Sequence, residues 1–307
     1  MRPCGLHASA GLGLMPKLPV FDIVRQTYRF LIEERWTILR LSWFLLLITA
    51  LLQVAVEYAD IQQAIAANSG SRGSQSSYLS MFIVGLAQAL ALVAVAVALH
   101  RTILFGDRRE GTRLYIALAK VEILFLLLSL ATVGFAVLAV LPLIPVIMWT
   151  DFTPSMEDGL SNAIATAVFY SLVVGSFAFF STRLSPVLPI AVIERHLRFR
   201  EPWQLTRGNF WRLLWVWLLG SLPLMIVFGG ADAYLGDPSE ELGFNAGREA
   251  ILSALQEKRD LLPVRVAISY LSNLISGAVG VGLLCYSYKA LKGYAFDELL
   301  TQSRPTR

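Results

Sequence analysis

The chain has 307 residues, 56% of them hydrophobic and only 16% charged, with mean hydropathy +0.60; a typical soluble domain is about 25% charged. Its apolar residues fall in runs near the roughly 20 residues that cross about 30 Å of hydrocarbon at 1.5 Å per residue. This composition argues against a water-soluble enzyme and for an all-α polytopic membrane protein. The net charge of +4 is not a sign of a nucleic-acid partner, because in a membrane protein what matters is the side on which each charge lies.

In chain order, residues 1–19 read as a flexible tail. No apolar core there is long enough for a signal peptide, and Met15 serves as well as Met1 for a start. Val20, Ile23, Val24, Thr27, Leu31 and Trp36 recur at helical spacing with Arg25, Arg29, Glu33 and Glu34 between them, which predicts a basic amphipathic helix in the headgroup layer. Six apolar segments follow, at about 37–56, 79–99, 121–149, 163–193, 211–231 and 264–288. They predict six transmembrane helices within one domain, 20–293, followed by a tail, 294–307. The third and fourth segments exceed one crossing. Pro142 and Pro145 in the third, and Pro186 and Pro189 in the fourth, predict broken or tilted helices inside the bundle, since each proline removes a backbone donor.

The connections differ in character. Residues 57–78 contain NSGSRGSQSS and read as a mobile outer loop, and 150–162 as a short acidic outer turn. In 232–263, Ile251, Leu252, Leu255 and Leu262 alternate with charged residues and predict a separate amphipathic helix lying on the outer surface, either as a cover or as a docking site for an envelope protein. Of the 26 Lys and Arg, all but Arg72, Arg248, Lys258, Arg259 and Arg265 fall on one side of this arrangement. The positive-inside bias makes that side cytoplasmic, with both termini inside a bacterial inner membrane. Trp36, Trp203 and Trp211 fall at the inner interface and Trp149 at the outer one. Cys4 and Cys285 lie on the inner side, where a disulfide is not expected.

No P-loop, zinc-protease, nucleophile-elbow or EF-hand pattern occurs, so no catalytic residue, cofactor or metal site is assigned. Arg183 precedes ten uncharged residues and sits deep enough to need a partner, for which Glu122 and Glu194 are the candidates. His100-Arg101 and Arg195-His196 end the second and fourth spans and are expected to face the cytoplasm. With Arg207, these residues form a candidate lipid-headgroup or structural polar cluster. Glu201-Pro202 suits a helix start, and Gly208-Asn209 a stop followed by an N-cap. In the last span Ser272, Ser276 and Gly280, with Asn273 and Gly277, recur every four residues and predict close helix approach or a polar path.

Arg183 with Pro186 and Pro189 after it, Glu194 closing the run, and the block Trp203-Gln-Leu-Thr-Arg207-Gly208-Asn-Phe-Trp211-Arg212 resemble a bacterial inner-membrane family with about six spans. That family is named for the membrane domain attached to some glycerophosphoryl diester phosphodiesterases. The resemblance implies the fold and not the activity, because the soluble phosphodiesterase domain is absent; Glu201, Pro202 and Gln204 replace the small residues common there. The expected function is a non-enzymatic component that contacts membrane lipids or an envelope protein partner. The alternatives are a transporter or carrier subunit for a small or amphiphilic molecule, and an intramembrane enzyme built on Glu122, Arg183, Glu194 and His196.

Overall fold

The computed structural model describes residues 17–68, 78–106, 159–194, 200–236 and 247–293, with four further helical positions, Ile123, Phe125, Leu127 and Leu130. Among the described residues every regular element is a helix. These are α1 (Val20–Glu33), α2 (Arg35–Asn68), α3 (Tyr78–Phe105), α4 (Gly159–Leu184), α5 (Val187–Glu194), α6 (Arg200–Leu205), α7 (Phe210–Leu224), a π-helical segment (Met225–Gly229), α8 (Gly230–Leu235) and α9 (Arg248–Leu291). Five stretches are long and apolar enough to cross a membrane: Arg35–Ala66, Phe82–Phe105, Ser171–Ile193, Phe210–Leu235 and Arg248–Leu291. The chain is an all-α polytopic membrane protein. The expected span at 121–149, with Pro142 and Pro145, lies outside the described residues apart from the four positions in 123–130.

Two helices outrun their predicted spans. The first continues 12 residues past position 56 to Asn68, because YADIQQAIAA is rich in good helix formers and Ile61 turns inward, 5% exposed. The outer loop expected from residue 57 therefore begins only after Asn68. The last is one helix of 44 residues, about 66 Å long, where a separate surface helix and a span were expected. Ala254 and Leu262 are buried, so the apolar stripe of residues 248–263 packs as a direct extension of the span. Pro263 lies within this helix on an exposed position.

The centre of the bundle is α2, α3 and α9. Ile38, Leu41, Ala94, Ala98, Leu99, Ala278 and Cys285 meet there, and all are buried. The first helix does not rest on lipid with its apolar face, as its amphipathic pattern predicted. Leu18 and Ile23 pack with Leu213, Val216 and Leu283, so α7 and α9 cover that face. Trp36 is not part of α1: the chain turns at Glu34, and Trp36 is the second residue of α2, 70% exposed.

The fourth segment breaks where expected. Ser185-Pro186 forms a turn between α4 and α5, and the Ser185 hydroxyl donates to the Thr182 carbonyl at 2.8 Å. Pro189 falls in the first turn of α5, where its missing N–H leaves no helical bond unmade, so Pro186 alone marks the break. The fifth segment, predicted as a plain span, contains Pro223 and widens into the π segment just after it. Large apolar side chains such as Phe82, Val174, Trp215 and Met225 point outward, as a lipid-facing surface requires.

Candidate functional site

The fold brings the basic residues of α1, α6, α7 and the ends of α3, α4 and α9 to one end of the bundle. Contacts between sequence-distant groups tie that end together. The Leu18 N–H donates to Asn209 Oδ1 at 3.2 Å, and Arg212 Nη1 donates to the Leu18 carbonyl at 3.1 Å. Asn209 is at the N-cap position of α7 but makes no capping bond; its side chain holds the segment before α1 instead. Gly208, at φ 83°, supplies the left-handed residue that the turn needs. Lys289 Nζ donates to the carbonyl of Ile103 at 2.7 Å, where the last carbonyls of α3 lack helical partners. Lys292 pairs with Glu201 at 2.5 Å. Burial pushes the Tyr28 phenol above its ordinary range, and its hydroxyl donates to the Gly220 carbonyl at 2.7 Å.

The predicted polar cluster divides. Arg183 lies among aromatic rings, with its guanidinium carbon 5.2 Å from the centre of Trp203 and 5.6 Å from those of Phe179 and Phe210. Phe179 is one turn earlier on α4, while Trp203 and Phe210 come from α6 and α7, so the arginine joins three elements. Its Nη1 donates to Thr206 Oγ1 at 3.2 Å, and that hydroxyl donates in turn to the Pro202 carbonyl at 3.0 Å. A planar, weakly hydrated cation suits such a cage. Of the expected carboxylate partners, Glu122 lies outside the described residues, and Glu194 is described only as the last residue of α5.

His100 does not face an aqueous surface as expected. It is fully buried, with Nδ1 2.7 Å from the Ala96 carbonyl and its ring edge-on to Phe125 at 5.3 Å. Its neighbourhood is the apolar cluster of Val93, Val97 and Val192, which explains why an imidazole at a helix end turned inward. Arg101 is half-buried, and Arg207 is exposed on the turn before α7. Arg195 and His196 lie outside the described residues. Among the described residues no group of His, Cys, Asp and Glu side chains could hold a metal.

A second feature lies between the π segment and α9. Two adjoining clefts, of about 470 and 440 Å³, share Phe228, Gly229 and Ser272. The first is apolar, with Trp217, Leu224, Met225 and Leu283 on its walls; the second is polar, with Gln53, Gln88, Asp232, Ser269 and Asn273. Of the two readings of the small-residue stripe, close helix approach or a polar path, close approach does not hold at Gly277 or Gly280. A Cβ built on Gly277 or Gly280 meets nothing within 4 Å, and Ser272, Ser276 and Gly280 line the first cleft. Close approach occurs instead at Gly220, whose Cβ would lie 2.5 Å from Leu283 Cδ1, and at Gly282, 2.7 Å from Thr27 Cγ2. Beyond Gly220, Pro223 and the wide π turn set the π segment off from α9, and α8 packs on α9 again. Its local signals in the sequence are the small-residue stripe of α9 and Pro223 followed by Gly229-Gly230.

Comparisons with family models, with curated proteins and with solved structures return no match.

Proposed function

We propose that this chain is a non-enzymatic integral protein of a bacterial inner membrane, placed with its basic end at the cytoplasmic leaflet, where it holds anionic lipid headgroups. One observation carries this reading: the fold sorts the arginines of this end into two sets. Arg183 and Arg212 are used internally, by the aromatic cage and by the Leu18 carbonyl. Arg200 and Arg207 are exposed, next to the exposed Trp203 and Trp211. Indole rings favour the interface, and a basic residue beside an anionic leaflet contributes about 1 kcal/mol.

The test is native mass spectrometry of protein taken from nanodiscs of equal anionic and zwitterionic phospholipid. The wild type is expected to retain anionic lipid in excess. The double variant Arg200→Gln/Arg207→Gln should lower that excess roughly tenfold or more, and Arg200→Lys/Arg207→Lys should keep most of it. Equal retention by the wild type and the Gln variant would dispose of the proposal.

A further inference from the structure

We infer that the paired cleft between the π segment and α9 binds one phospholipid, with an acyl chain in the apolar half and a headgroup carrying both signs of charge in the polar half. The site is independent of the arginine rim discussed above.

Its dimensions fit a chain from one leaflet. Ser272, at the junction of the two halves, and Leu283, at the far end of the apolar half, are 11 helical residues apart, about 16 Å of rise. That is about half of a hydrocarbon core of roughly 30 Å. The polarity changes once, at the shared residues Phe228, Gly229 and Ser272, as it does along an amphiphile. Free solutes would not need the apolar half, and a simple hydrocarbon would not need the polar one.

The polar half is costly without an occupant. Gln53, Gln88 and Asn273 come from three different membrane-spanning helices and converge with Asp232, and polar groups at that depth require partners. Gln53 Nε2 gives one bond, at 2.9 Å, to Glu57. Asp232 is exposed and, among the described residues, is the one charged residue on the wall; a carboxylate there attracts an ammonium and opposes a bare phosphate. Arg265, which lines neither cleft, is the basic residue of α9 nearest the polar half along that helix. It lies on the same stripe of α9, four residues from Ser269 and seven from Ser272, so it sits one turn beyond the cleft wall. Its Nε and Nη2 are buried without a hydrogen-bond partner among the described residues. A zwitterionic headgroup sets its amine at Asp232 and its phosphodiester toward the Arg265 side of the polar half, whereas an anionic headgroup lacking the amine leaves Asp232 unpaired.

The experiment uses full-length protein moved from nanodiscs containing equal phosphatidylethanolamine and phosphatidylglycerol into mild detergent, with retained lipid counted by native mass spectrometry. The wild type is expected to keep one phosphatidylethanolamine. Gly280→Leu and, separately, Ser276→Leu fill the apolar half and should abolish retention. Gly85→Leu places the same bulk where a Cβ also meets nothing within 4 Å, outside the cleft, and should not. Asp232→Asn should cut the preference for phosphatidylethanolamine over phosphatidylglycerol about tenfold, the scale of one hydrogen bond to a charged group. Arg200→Gln/Arg207→Gln should leave this lipid in place, which separates the cleft from the rim. In the Arg200→Gln/Arg207→Gln background, absence of a retained phosphatidylethanolamine, retention of it unaffected by both filling variants, or preferential retention of phosphatidylglycerol would each overturn the assignment.

Discussion

Two glycines on the last helix make opposite predictions although they are two residues apart. At Gly282 an added Cβ would be 2.7 Å from Thr27 Cγ2 and 3.3 Å from Thr27 Oγ1. Thr27 cannot give way easily: it is β-branched, fully buried, and its hydroxyl is bonded to the Ile23 carbonyl at 2.9 Å. The Gly282→Ala variant must therefore push α1 away from α9. Overpacking of this kind costs about 1–3 kcal/mol, against a gain of about 1 kcal/mol from replacing a mid-helix glycine. The net expectation is a loss of up to about 2 kcal/mol. At Gly280 nothing lies within 4 Å, so Gly280→Ala keeps the propensity gain and should be neutral or stabilising by up to about 1 kcal/mol. Both are measured by equilibrium unfolding in mixed detergent and SDS, together with trypsin cleavage at Arg25 and Arg29. Cleavage should accelerate in Gly282→Ala only. Equal shifts of the same sign in the two variants would refute the claim that α1 is seated on Gly282.

Two further substitutions test the basic end. Arg183→Lys keeps the charge but loses the planar stack on Trp203, Phe179 and Phe210, and should cost about 1–2 kcal/mol; in a double-mutant cycle with Trp203→Leu the two losses should be non-additive by about 1 kcal/mol, and strict additivity would remove the cage from the account. Tyr28→Phe deletes the bond to the Gly220 carbonyl, lowering stability by about 1 kcal/mol in the same unfolding assay. An unchanged midpoint would show that this bond does not hold α1.

Much of the fold was legible along the chain because it follows from local quantities. Segment 79–99 is uncharged over its whole length and had to be a buried or lipid-embedded helix, and α3 covers it. Ser185-Pro186 breaks its segment because a missing N–H acts on its own helix. Helix ends were less legible: an outer loop was expected from residue 57 and a separate surface helix before the last span, whereas α2 runs on to Asn68 and α9 is continuous from Arg248, with Ile61 and Leu262 buried. The candidate site was legible as residue types but not as partners. Arg183 was recognisable as a cation needing company, and among the described residues three rings and a threonine hydroxyl supply it. His100 carried no sign that its ring would turn toward Phe125.

The sequence by itself determined that the chain is a helical membrane protein, where most of its spans run, and that its positive charge is concentrated at one end. These depend on hydrophobicity summed over about 20 residues and on charge counted by segment, and neither requires knowing which helices touch. The tertiary structure decided which small residues permit contact and which leave a gap, because that depends on the side chain opposite. Gly220 faces Leu283 and closes the bundle, while Gly280, with nothing within reach, leaves the cleft open.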